Sequence, residues 1–92
     1  MLRSPTGLDL RLATELDSAR NLLVQMGDEL ALNQQVVCEH GVALQAVDIV
    51  GQILGHIANV VRADDRAAAV ERIGMCELRA KLSTLEEPAA LA

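Results

Sequence analysis

The sequence predicts an all-α fold: a long antiparallel helical hairpin plus a short C-terminal helical segment, completed to a four-helix bundle as a dimer. Apolar residues recur at three- and four-residue spacing through most of the 92 residues, which is the rhythm of a helix face. No stretch carries a strand signal. Apolar residues make up 51% of the chain and none is Phe, Tyr or Trp. So much aliphatic surface exceeds what so short a chain buries alone, and a second copy is the expected cover.

Ser4-Pro5-Thr6-Gly7 punctuates the start as a polar lead-in. Leu8, Leu12, Leu16, Ala19, Leu23, Met26 and Leu30 then mark the expected seam of a first helix, with Asp9, Arg11, Glu15, Asp17 and Arg20 on its wet side. A second long helix runs from about Val36 to Val61. Two positions suit the turn between them. Asn33-Gln34-Gln35 offers Asn33 as a cap, and Cys38-Glu39-His40-Gly41 offers Gly41 as a stop. Arg62-Ala63-Asp64-Asp65 supplies a cap for a helical segment from Arg66 to Ile73, Gly74 ends or bends it, and Met75 to Leu82 forms the last short helix. The whole chain, 1–92, reads as one helical domain whose ends, 1–7 and 84–92, fray.

Charge narrows the partners. Thirteen acidic residues against eight basic ones give a net charge of -5, and there is no aromatic side chain for bases to stack on, so nucleic acid is excluded as a partner. No membrane span or export signal is expected, because Asp48, Gln52, His56 and Asn59 interrupt the most apolar stretch, Val42 to Val61. Cys38 and Cys76 read as reduced, packed thiols, which suits the cytoplasm. Cys38-Glu39-His40 offers too few ligands for a zinc site.

The second helix carries the informative surface. Projected around its axis, Gln45, Asp48, Gln52, His56 and Asn59 fall within an arc of about 80°. Ile49 begins the apolar arc on one side, and Gly51 and Gly55 lie on the other. A merely solvated face on an acidic protein carries Lys, Glu and Arg. Here the single charge between Val42 and Val61 is Asp48, among amides, imidazole and bare backbone. Such a face suits close approach by another molecule.

Asp48-Ile49-Val50-Gly51-Gln52-Ile53-Leu54, preceded by Gln45-Ala46, resembles the active-site segment of the CheZ family of chemotaxis phosphatases. That family's signature is Asp-x-x-x-Gln on a helix of a long hairpin, and this chain is similar in size to its short CheT-type members. The resemblance is close over about ten residues and architectural elsewhere. It implies hydrolysis of the aspartyl phosphate of a CheY-like response regulator. Gln52 is then the catalytic residue that orients the attacking water, and Asp48 pairs with the receiver's active-site lysine. Gln45, Ile49, Gly51, Gly55, His56 and Asn59 border the partner. No cofactor of its own is implied, since the Mg2+ belongs to the receiver.

The chemistry is sound on the residues alone. Phosphoryl transfer rests on positioning and charge stabilisation, and an amide both accepts from water and donates to phosphoryl oxygen. Asp48 and Gln52, one helical turn apart, have Cβ atoms about 5–6 Å from one another. The chain departs from larger CheZ proteins after Arg62, where a short segment replaces a long connection to a tethering helix, so no tethering role is assigned to 66–82. Related sensor kinases carry His before the same Asp; Val47 stands there instead. Two other readings stand beside the phosphatase: a non-catalytic dimerisation or adaptor module, and a histidine phosphotransfer protein using His56.

Overall fold

Helix α1, Gly7–Ala31, begins at a cap that its own side chains build. The Thr6 hydroxyl accepts from the Asp9 backbone N–H at 3.0 Å, and the Asp9 carboxylate accepts from the Thr6 N–H at 2.9 Å. This reciprocal box satisfies two donors that a helix start otherwise leaves open. The computed structural model describes residues 4–84. Within them Thr6 and Gly7, expected to fray with the ends, are tied into this cap, while 1–3 and 85–92 lie outside the described residues.

The chain reverses at Leu32 and Asn33. Asn33 Oδ1 accepts from the N–H groups of Gln35 (3.0 Å) and Val36 (3.2 Å) and so caps helix α2, Gln34–Arg62. The other candidate, Cys38 to Gly41, is not the turn: it lies inside α2, where His40, at φ -129° and ψ 28°, breaks the helical geometry as a kink. The stretch from Val42 onward, which carries Asp48 and Gln52, therefore lies in a helical run beyond the kink. Asp65 caps the short helix α3, Arg66–Glu71, through Ala68 N–H at 3.0 Å. Helix α4, Cys76–Thr84, follows after Ile73-Gly74-Met75. The third helix thus stops two residues earlier than Ile73, which is itself buried.

Among the described residues there is no strand, and α1 and α2 pack against each other as an antiparallel hairpin. The line of contact uses small residues. Ala13 and Ala58 are buried, Gly51 is buried, and a Cβ placed on Gly27 stands 3.3 Å from Val47 Cγ1. Ala13, Arg20 and Gly27 repeat at seven-residue spacing on α1, as Leu44, Gly51 and Ala58 do on α2. This repeat keeps one face of each helix on its neighbour. Ion pairs fix the register: Arg62 to Asp17 at 2.5 Å, and Arg66 to Asp9 at 3.1 Å, which holds the start of α3 against α1.

Of the leucine stripe expected to be the hairpin seam, Leu16 and Leu23 are half-buried between Ala13 and Gly27, and the other members are exposed. Leu8 (67% exposed), Leu12, Met26 and Leu30 stay open on α1, as do Val42 (84%), Ile49 and Val50 on α2. Small residues allow two helices a closer approach than leucines do, so the chain pairs along its alanines and glycines. Cys38 and Cys76, expected to be packed, are both free and exposed. By length and composition alone, α2 is also long and apolar enough to cross a membrane, with a mean hydropathy of 1.3 over its best window. Asp48, Gln52, His56 and Asn59 interrupt its pattern, but the aliphatic residues between them keep the mean that high.

Candidate functional site

Asp48 and Gln52 occupy successive turns of α2, and both are exposed. Neither the Asp48 carboxylate nor the Gln52 amide has a hydrogen-bond or ion-pair partner among the described residues. They are one acceptor-only group and one donor–acceptor group, a turn apart and free to meet another molecule. Gln45, Ile49 and Asn59 are exposed beside them. The structure brings all five to one side of the helix, as the periodicity predicts.

His56 sits differently. It is half-buried and, with Asn59, lines a cleft of about 220 Å³ closed by Ala63, Ala69, Arg72 and Ile73. Asp65 capping and the Arg66–Asp9 pair hold α3 over this end of α2. Val70 and Ile73, both buried, anchor it there. The stripe thus runs from an open surface at Asp48 and Gln52 into a walled groove at His56.

Gly51 and Gly55 also sit differently from a bare flank. Arg20 of α1 lies along them: a Cβ on Gly51 would stand 3.7 Å from Arg20 Cγ, and one on Gly55 3.3 Å from Cδ and 4.0 Å from Nη1. Gly51 is buried under this contact and Gly55 half-buried. Projection of a single helix finds the bare backbone but not the neighbour that covers it.

Two cations lie beside the stripe: Arg20, expected on the wet side of α1, is instead half-buried against α2, as Asp9 and Asp17 are half-buried in their ion pairs, and Arg72 was not singled out in the sequence. Arg11, Arg62, Arg66 and Lys81 each reach a carboxylate. Arg20 reaches only Asn21 Oδ1, at 3.3 Å, and Arg72 has no side-chain partner among the described residues. The available signal for Arg20 was its place midway between Ala13 and Gly27 in the seven-residue repeat. For Arg72 there was none, because only the packing of α3 brings it to His56.

The assembled face offers one carboxylate, one amide beside it, and cations at two margins. Among the described residues no three His, Cys, Asp or Glu side chains gather as metal ligands. No family model, curated protein or solved structure matches the chain.

Proposed function

We propose that this chain is a cytoplasmic phosphatase for the phosphorylated receiver domain of a CheY-like response regulator, working as a homodimeric four-helix bundle. The observation that carries the reading is the pair Asp48 and Gln52, exposed and unpartnered one turn apart on α2. Gln52 holds a water in line with the acyl phosphate. The water oxygen bonds to phosphorus as the bond from phosphorus to the aspartyl oxygen breaks, and the carboxylate leaves. The water's proton passes to solvent. Asp48 pairs with a lysine of the receiver, and Gln45, Ile49, His56 and Asn59 border the docked domain. A carboxylate would be badly placed against phosphate and is well placed against the cation next to it. The receiver supplies its own Mg2+.

The open apolar stripe supports the dimer. Fully burying one Leu, Val or Met side chain stabilises by about 1.5–3 kcal/mol, and Leu8, Leu12, Met26, Leu30 and Val50, each between 40% and 67% exposed, leave part of that unused in a single chain. We read α2 as a bundle helix rather than a membrane span because α1 pairs along it and Arg62 reaches Asp17.

Arg72 beside His56 supports a second reading, histidine phosphotransfer, because it supplies the cation that the sequence around His56 lacks. One experiment separates the readings. Phosphorylated receiver domains from the same organism are mixed with the protein, and both phosphate release and label on the chain are followed. Accelerated release without label supports the phosphatase, and label on His56 supports phosphotransfer. Unchanged decay without label leaves the adaptor module.

A further inference from the structure

We propose that Arg20 is the oxyanion-binding group of the Asp48–Gln52 face, presenting guanidinium N–H donors to a phosphoryl oxygen of the docked acyl phosphate. The role of that phosphate rests on the phosphatase reading; the anion site itself rests on geometry.

Arg20 belongs to α1, yet its side chain ends over α2. Its Cγ meets Gly51, and its Cδ, Nε and Nη1 lie within 3.3–4.0 Å of where a Gly55 Cβ would be. On a helix the surface neighbours of position 55 are 51, 52, 58 and 59. The guanidinium therefore lies at the margin where Gln52 and Asn59 emerge. Gly55 makes the room: any side chain there would crowd the arginine stem.

The donors are largely unused. Nη2 donates to Asn21 Oδ1, and Nε is buried without a partner. Nη1 has no partner among the described residues and is not among the buried atoms. A buried, unpaired N–H on a charged group is costly unless something completes it. In a chain with thirteen acidic residues, half-buried Arg62 and Arg66 are both matched to carboxylates through Nη2, although the Nε of Arg66, like that of Arg20, is buried without a partner. Arg20 is not matched to a carboxylate, and the group it lacks is an anion. A planar fork of N–H donors fits phosphoryl oxygens, and cationic stabilisation of the equatorial oxygens is a main lever in phosphoryl transfer.

The arginine Nε–H resonances of the whole protein are followed while acetyl phosphate is added. Arg20 Nε is covered, so its proton exchanges slowly enough to observe. The expected result is a saturable shift at Arg20 that exceeds that of Arg79, which also lacks a carboxylate partner among the described residues, and that is weakened in Gly55→Ala, where the arginine stem must give way to the methyl. An Arg20 resonance that stays still, moves no further than Arg79, or moves equally in Gly55→Ala overturns the proposal. Receiver dephosphorylation then separates the two claims. Arg20→Gln is expected to lower kcat on the order of a hundredfold with little change in KM, and Arg20→Lys, which keeps stem and charge, to recover part of it. If the resonance shifts while no receiver's decay is accelerated, the anion site stands and the phosphatase reading falls. If wild type accelerates decay while the resonance stays still and Arg20→Gln keeps full kcat, the reading stands and Arg20 has no such role.

Discussion

Arg62, in the last turn of α2, donates to Asp17 in the middle of α1 at 2.5 Å, while its Nε donates to the Ala58 carbonyl at 3.2 Å. The arginine is thus held at both ends of its fork, and it sets which turn of α1 faces which turn of α2. The pair is about one-third exposed, so solvent screens part of its attraction. Asp17→Ala is expected to cost about 1 kcal/mol, read as a lower urea midpoint at unchanged slope. In a double-mutant cycle with Arg62→Ala, most of that loss should vanish. Independent, additive losses would show that the pair does not set the register.

Acid sensitivity should trace in part to Asp9. The Thr6 N–H, the Thr6 hydroxyl and the Arg66 guanidinium hold its carboxyl below the usual value of 3.8, with the backbone hydrogen bond from Thr6 the largest cause. A carboxyl lowered by folding adds stability above its unfolded pKa, and loses it as pH falls through the folded value. Stability differences between wild type and Asp9→Asn, measured by chemical unfolding, should therefore be constant near neutrality. They should shrink below about pH 3.8. A difference that does not change with pH would remove Asp9 from the account.

The glycines of the seam should respond unequally to alanine. A methyl on Gly51 meets Arg20 and Val24 at ordinary contact distances of 3.7 and 3.9 Å, whereas one on Gly27 meets Val47 at a tight 3.3 Å. Alanine gains about 1 kcal/mol over glycine inside a helix. Gly51→Ala should therefore raise Tm, and Gly27→Ala should raise it less or lower it. The reverse order would mean that the hairpin packs along another line.

Local chemistry was readable from the residues, and tertiary choice was not. Asn33, in one of the two turns the residues offered, caps α2, and Asp65, in the segment expected to cap the next helix, caps α3, because a cap is decided within three residues. The Thr6–Asp9 box was available in the same way, as a Thr followed three residues later by an acid. The leucine stripe from Leu8 to Leu30 correctly marks an apolar face. Periodicity cannot say which molecule covers it, however, and the chain's own α2 took the neighbouring line of Ala13 and Gly27, with only Leu16 and Leu23 of the stripe half-buried between them. The Asp48–Gln52 face was legible because residues four apart share one side of any helix. Arg20 over Gly55 and Arg72 beside His56 depend on contacts between elements, so the sequence of one helix is silent about them.

The open stripe makes the dimer measurable. Sedimentation of the wild type should give twice the chain mass, and Leu12→Glu with Met26→Glu should give a single chain. Both sites are about half exposed in one chain, at 47% and 46%, and unfolding of the variant by urea, compared with wild type, separates loss of the dimer from loss of the fold. A wild type that sediments as one chain, or that floats with lipid vesicles, would contradict the bundle.

The most direct test is the decay of a phosphorylated CheY-like receiver with wild type, Gln52→Ala and Asp48→Ala. Wild type should speed the decay, Gln52→Ala should abolish that acceleration while still binding the receiver, and Asp48→Ala should weaken both. A wild type that leaves every receiver's decay unchanged, or a Gln52→Ala variant as active as wild type, would contradict it.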